Sequence, residues 1–351
     1  MAIIKHNNLY NLLKWVLLAA GLFLFYLLWS WNRPLLSQEQ VLTVEPGTTL
    51  HALSNRLLNT GVIQNKQSFI LLAYLRGHSR SLRAGEYKLE AGISSWSLLD
   101  KLISGKGIDH AFVIIEGWNF REILAALEQA KRLQHTLKDL TPEEIMNRLG
   151  ATIKHPEGWF FPDTYYYSAG TKDISILERA YKKMQNRLDL EWAQRETDLP
   201  LKSAYEALTL ASVVEKETGL VSERPLIAGV FINRLRKGMR LQTDPTVIYG
   251  LGEKFDGNLR RRDLLKDGPY NTYRRGGLPP TPIAMPGGDA IHAVLHPDKT
   301  QALYFVSRGD GSHKFSDTLR EHNNAVVKYQ LRGRRRPPPE VPPAANSSKA
   351  G

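Results

Sequence analysis

The chain has 351 residues, with 47 Lys and Arg against 35 Asp and Glu, a formal charge of +12. That length holds more than one folding unit, and the positive excess suits a polyanion such as anionic lipid headgroups or the acidic stem peptides of a cell wall. The absence of cysteine excludes disulfides, thiol catalysis and cysteine-based zinc sites, and no nucleic-acid-binding module accompanies the basic residues.

Residues 15–31 carry no charge and are bounded by Trp15 on one side and Trp29 and Trp31 on the other. Together with Leu12 and Leu13 they predict a helix long enough to span a bilayer, with aromatic residues at its interfaces. No small-x-small cleavage pattern follows at Trp31, Asn32, Arg33 and Pro34, so the segment reads as an uncleaved anchor. Lys5 and Lys14 precede the span and Arg33 follows it, so charge barely decides its orientation; the short segment 1–14 favours a cytoplasmic N-terminus, and residues 32–40 read as a short polar linker. Alternation over 41–44 predicts a strand, Pro46 and Gly47 a turn, and Thr48 or Thr49 the cap of a helix that carries Leu50, Leu53, Leu57 and Leu58 and stops at Gly61. A strand over 84–89, a helix over 95–103 and an apolar strand over 111–115 follow. An amphipathic helix then runs through Ile123, Leu124 and Leu127, and Thr141 with Pro142 starts another. The stretch 158–167 is the most aromatic outside the anchor, and Trp159 and Tyr165 are its candidate platforms for the apolar C–H faces of sugars. After Leu331, Arg, Pro, Ala and Ser predict a disordered tail over 331–351.

The most informative segment is the helix predicted from Tyr205, which Gly219 would stop. Near its end Glu215 and Glu217 point about 200° apart, so one cleft cannot use both equally. Glu217 extends the apolar row of Leu210, Val213 and Val214. A carboxylate on a half-buried stripe at the negative end of a helix dipole has its charged form disfavoured. Such an acid is held protonated and ready to donate. The alternative is a solvated Glu paired with Lys or Arg. Asp244 and Asp163 are the carboxylates that could supply a second acid or base, and otherwise read as turn or cap residues beside Pro245 and Pro162. Gln242, Tyr270, Asn271, Thr272 and Tyr273 are candidate hydrogen-bonding groups for a sugar. His292 and His296, four apart, resemble a zinc pair, but Ala293 stands where a zinc hydrolase carries Glu and no third ligand is evident. They read as structural, with no metal and no cofactor required. A serine nucleophile of the penicillin-binding type is disfavoured because no Ser-x-x-Lys occurs.

The run Ala211-Ser212-Val213-Val214-Glu215-Lys216-Glu217-Thr218 leads into Ser222-Glu223-Arg224, then Asn233-Arg234-Leu235 and Leu241-Gln242-Thr243-Asp244-Pro245. Tyr270-Asn271-Thr272-Tyr273, Gly277-Leu278-Pro279-Pro280, His296-Pro297, His313 and His322-Asn323 come next, preceded upstream by Glu157-Gly158-Trp159 and Glu116-Gly117. In order and spacing, from about Val41 to Tyr329, this resembles the MltG-type (YceG-like) endolytic murein transglycosylases. The resemblance implies an α+β protein: a transmembrane anchor over 15–31, a LysM-like α/β subdomain over 41–108, a connecting subdomain over 109–155 and a mixed α+β catalytic domain over 156–330. It implies Glu217 as the catalytic acid and base, with Glu215 as its structural partner; Glu215, Gln242, Asp244, Trp159 and the 270–273 run are the candidates for substrate contact that residue chemistry offers. It further implies peptidoglycan glycan strands as substrate, an inner-membrane location with the bulk of the chain in the periplasm, and peptidoglycan synthases as partners. A non-enzymatic alternative is a membrane-tethered wall-binding protein, which would explain the anchor and the charge without Glu217.

Overall fold

The computed structural model describes residues 3–331, so the expected tail from 332 onward lies outside the described residues. Helix α1 (Ile3–Asn32) contains a stretch, Leu12–Asn32, long and apolar enough to cross a membrane, and Leu17, Leu22, Phe23 and Phe25 on it are exposed. Its last turn departs from the expectation of an interfacial belt. Trp31 is 4% exposed, and its indole N–H donates to Ser68 Oγ at 2.9 Å. The ring's apolar area and its one donor are both satisfied inside the protein. Leu35 and Leu36, read as linker, pack against the same core.

Strand β1 (Gln40–Val44), helices α2 (Leu50–Asn59) and α3 (Lys66–Leu75), strand β2 (Gly85–Leu89) and helix α4 (Ser95–Ser104) follow. The two strands pair antiparallel, with Leu42 opposite Tyr87 and Val44 opposite Gly85. Period-2 alternation turns Leu42 and Val44 inward, where they meet Leu53, Leu57, Phe69, Leu72, Leu98 and Leu102. Thr49, Asn65 and Ser94 each accept a backbone N–H at a helix start, which supplies partners for otherwise orphaned donors.

The remaining elements are β3 (Asp109–Ile114), α5 (Phe120–Gln129), α6 (Pro142–Arg148), β4 (Asp163–Ser168), α7 (Asp173–Ala193), α8 (Ala204–Glu217), α9 (Arg224–Arg236), α10 (Asp244–Leu251), α11 (Arg261–Leu265), α12 (Gly288–Leu295), β5 (Tyr304–Ser307), β6 (His313–Ser316) and α13 (Leu319–Tyr329). Strand β3 pairs with β4 and β5 with β6, giving the expected mixed α+β composition. The chain divides into one compact unit of Met1–Ala111, Lys131–Gln134 and Tyr166–Lys172, and a second of Phe112–Ala130, His135–Tyr165 and Asp173–Gly351. Most of 109–155, read as a connecting segment, therefore falls in the second unit. Phe120 stacks on Phe160 (centroids 5.3 Å apart) and its N–H donates to Glu157 at 3.0 Å.

The second unit is organised around α8, against which α7, α9, α10 and α12 pack. Every residue of α8 from Ala207 to Val214 is buried. It is a central helix buried on all sides over that stretch, where the sequence pattern predicts a half-buried stripe. Ser212 serves as a polar fastener inside it: its hydroxyl donates to Thr209 O at 2.7 Å and accepts the Ile283 N–H at 2.9 Å. The loop before Ile283 is pressed equally closely from another side. Gly158 has φ +84°, and a Cβ there would lie 2.6 Å from Pro282, so the position excludes any side chain. Replacing Ser212 by Ala leaves the buried Ile283 N–H without a partner. We expect a loss of about 1–3 kcal/mol, read as a lower denaturant midpoint with unchanged helical content.

Candidate active site

Three carboxyl groups of the second unit are shifted toward their protonated forms, and their surroundings differ. Glu157 is 4% exposed, and burial pushes it up to about 7. One of its oxygens accepts Phe120 N–H and the other Tyr249 O–H at 2.9 Å. Burial also raises Glu215, which is engaged at both oxygens by Arg224 Nη2 at 2.7 Å and Gly287 N–H at 3.0 Å. Arg224 itself is 4% exposed and reaches Glu116 as well. These contacts tie α8 to α9 and to the start of α12.

Glu217, two residues on, closes α8 and is half-buried. The helix stops there because Thr218 turns extended (φ −144°, ψ 136°); Gly219, expected as the stop, is not in the left-handed region. Among the described residues, the hydroxyl of Thr243 is the group that hydrogen-bonds Glu217, at Oε1. Desolvation raises the carboxyl most; the Thr243 hydroxyl bond opposes it, the charge of Asp244 adds to it, and His313 and Arg234 oppose it. The net direction is upward, toward the protonated form.

Thr243 owes its orientation to its neighbours. It sits at the N-cap of α10 yet makes no capping bond. The N2 residue is Pro245, which has no N–H to offer. Gln242 before it has φ +52°, a left-handed conformation that costs a side-chain-bearing residue about 1–2 kcal/mol. Its N–H donates to Thr272 O at 3.2 Å, and Thr243 N–H donates to Thr272 Oγ1 at 3.1 Å. Asn271 donates to the carbonyls of Leu264 (2.9 Å) and Lys266 (2.7 Å) and accepts Tyr273 N–H (2.9 Å). Arg234, 7% exposed, fastens the chain from the α9 side. It donates to the carbonyls of Leu303 and Leu241, both at 2.7 Å, and lies over the Tyr304 ring. His313 is held by Glu223, with Nδ1 at 2.7 Å from Oε2.

The residues expected around the site thus separate. Gln242, Asp244, Thr272 and Tyr273 gather beside Thr243. Asp244 accepts Tyr273 O–H at 2.6 Å and is exposed. Asn271 and Thr272, expected to meet sugar, are 5% and 3% exposed, their polar atoms committed to the backbone. Tyr270 bonds Thr281 at 2.8 Å and packs on Tyr249. Trp159, 7% exposed, is a core residue stacked on Tyr205. Tyr205 lies twelve residues before Glu217 on α8, about 18 Å along the axis. Tyr165 is likewise buried, its hydroxyl on Phe161 O at 2.6 Å. Asp163 is paired with Lys183, which holds its carboxyl below the usual range. A cleft of about 380 Å³ lies along the N-terminal half of α8, lined by Tyr205, Thr209 and the 277–280 loop, and does not include Glu217. Sequence reasoning singled out neither Thr243 nor Arg234. A Thr directly before Asp-Pro, and an Arg two residues after the apolar run Val230-Phe231-Ile232, were the available signs. His292 and His296 are joined by Glu191, a third donor that their sequence neighbourhood concealed.

A family model described as the YceG-like family matches residues 42–328. The chain belongs to the YceG-like family. Among other YceG-like proteins, one named endolytic murein transglycosylase from Bacillus subtilis (strain 168) is 34% identical over 305 residues, covering 82% of this chain and 84% of its own. A relative with the same name from Streptococcus pneumoniae (strain R6) is 28% identical over 325 residues, and this chain spans 57% of its length. The 2.6 Å crystal structure of a yceG-like protein from Listeria monocytogenes superposes with a TM-score of 0.51 at 28% identity, covering 82% of this chain and 98% of that one.

The two glutamates at the end of α8 should respond oppositely to neutralisation. Glu215→Gln uncouples a buried ion pair, and we expect a loss of about 3 kcal/mol. Glu217 has a folded-state pKa above its unfolded value, so its ionisation costs stability as pH rises through that interval. Glu217→Gln should therefore be as stable as the unaltered chain at pH 5 and no less stable at pH 8, measured by denaturant unfolding at both.

Proposed function

We propose that this chain is a membrane-anchored endolytic lytic transglycosylase. It cleaves the β-1,4 bond between N-acetylmuramic acid and N-acetylglucosamine within peptidoglycan strands and leaves a 1,6-anhydromuramoyl end. One observation carries the reading. Of the three uplifted carboxyls among the described residues, Glu217 is the one held by a single hydroxyl, while Glu157 and Glu215 have both oxygens engaged. Membership of the YceG-like family and the names of its relatives support the substrate and reaction class.

In this mechanism protonated Glu217 donates to the glycosidic oxygen as the C1–O bond breaks, freeing the N-acetylglucosamine hydroxyl. The carboxylate so formed takes the proton from the muramoyl C6 hydroxyl, whose oxygen closes on C1. No water is consumed, and the enzyme ends protonated as it began. Burial and Asp244 favour the acid needed first; Thr243, His313 and Arg234 favour the base needed second. Substrate groups would meet the polar edge formed by exposed Gln242 and Asp244 and half-buried Tyr273. In the same reading α1 is the membrane anchor, with the two units on the periplasmic side, and cleavage of nascent strands limits their length in concert with synthases. The β1-α2-α3-β2 order supports a LysM-like subdomain.

A second reading is favoured by the electrostatic reach of Asp244 to Glu217: a hydrolase in which Asp244 activates water. Mass spectrometry of peptidoglycan digested by the detergent-solubilised chain separates the two. Anhydromuramoyl ends support the transglycosylase, and reducing ends the hydrolase. Glu217→Gln should lower the cleavage rate by about 10²–10⁴-fold while leaving sacculus binding intact. Undiminished cleavage by that variant would overturn the assignment.

The pH profile offers an independent check. A general acid must be protonated, so activity falls on the alkaline side as Glu217 ionises. Thr243→Val removes a hydroxyl that favours the carboxylate, and the alkaline limb should move to higher pH. Asp244→Asn removes a charge that favours the acid, and the limb should move to lower pH. Limbs that stay in place in both variants would assign the acid to another group.

A further inference from the structure

The cluster of Glu191, His292 and His296 lies outside the proposed chemistry. Glu191, near the end of α7, is a buried carboxylate; His292 is on α12, and His296 follows that helix as its C-cap. The two imidazoles lie side by side, with centroids 4.4 Å apart and planes tilted by 31°. Glu191 Oε2 is 2.9 Å from His292 Nδ1 and 3.9 Å from His296 Nε2, and the three donor atoms lie within 4.8 Å of one another. A hydrogen bond accounts for the first distance. The second is too long for one, so His296 converges on the same oxygen without bonding it.

We propose that Glu191, His292 and His296 form a binding site for a divalent transition-metal ion of the zinc class. Zinc bonds of about 2.0–2.1 Å in tetrahedral array put neighbouring ligand atoms about 3.3 Å apart, a spacing that the 2.9 and 3.9 Å separations bracket. Rotation of two partly exposed imidazoles, with side chains 56% and 28% accessible, closes the remainder. Two nitrogens and one carboxylate oxygen select Zn²⁺ or Co²⁺ over Mg²⁺ and Ca²⁺, which prefer all-oxygen sites. Arg187 Nη2 holds the other carboxylate oxygen of Glu191 at 2.9 Å, so Oε2 is presented as a single ligand by an outer partner. The exposure of His292 leaves the fourth position to water.

The ion would cross-link α7 to the C-terminal end of α12. His292 and His296 lie five and nine residues beyond Gly287, about 7–14 Å along the α12 axis from the residue that meets Glu215. The site therefore stiffens the packing around α8 and takes no part in proton transfer. It also stands independently of the activity proposed above.

The test uses the tag-free, full-length chain in detergent, stripped with EDTA and dialysed. Titration with Zn²⁺ should show one saturable equivalent per chain by calorimetry and by elemental analysis, and a rise in Tm. Co²⁺ should give the visible bands of tetrahedral coordination, and Mg²⁺ and Ca²⁺ neither effect. His292→Ala combined with His296→Ala should weaken Zn²⁺ binding at least tenfold and abolish the Tm rise. Glu217→Gln should bind Zn²⁺ unchanged, which separates this result from the fate of the catalytic proposal. Absence of a saturable equivalent, or equal binding by the double variant, would overturn the assignment.

Discussion

A single hydroxyl, that of Thr243, meets the carboxyl that ends α8, and much of the second unit serves that meeting. The carboxyl leaves the protein core at the last turn of a helix buried on every side from Ala207 to Val214. Its desolvation is therefore set by a packed interior, not by one amphipathic stripe. The hydroxyl comes from a loop whose backbone is held left-handed at Gln242 and bonded to Thr272. Strain at one residue is stable only where neighbours over-determine it, and here Arg234, Asn271 and Thr272 do so through hydrogen bonds to the surrounding backbone.

The same economy explains why two glutamates two positions apart have different fates. Glu215 faces a buried guanidinium and an amide, and its charge is compensated by rigid groups that also join α8 to α9 and to the start of α12. Glu217 faces one rotatable hydroxyl and a balance of more distant charges. Protonation of Glu215 would leave the buried Arg224 guanidinium without its charged partner on α8, whereas Glu217 meets a hydroxyl, which can donate to the carboxylate or accept from the acid. An acid that must later act as a base needs that second kind of environment. Glu157 marks the contrast from the other side: burial outweighs its hydrogen bonds and brings it to about 7, but its bonds to Phe120 and Tyr249 make it a fastener between α5 and α10.

Much of this was legible in the residues. The long apolar helix, the caps at Thr49 and Thr141, the strands at 40–44 and 85–89 and the helix ending in Glu217 follow from periodicity and local hydrogen-bonding chemistry, which act over a few residues. The family followed from motif order. Polar residues were the poorer guide. Asn271, Thr272 and Trp159 carry groups that a sugar could use, yet they are enclosed and serve the scaffold. Whether a donor faces solvent or a neighbouring carbonyl depends on segments tens of residues away.

Local composition therefore determined by itself where helices and strands begin, which segment is apolar enough to enter a membrane, and that one of two glutamates lies on the buried row. Only the folded arrangement decided that Glu215 is neutralised by Arg224 while Glu217 meets Thr243. It also decided that Trp31 belongs to a core and that Glu191 joins two histidines about a hundred positions later. The physical reason is the range of the forces involved. Capping and periodicity are settled within a turn or two of chain. Desolvation and charge pairing depend on which distant groups the packing brings within a few ångströms, and those terms set the chemistry of a carboxyl group.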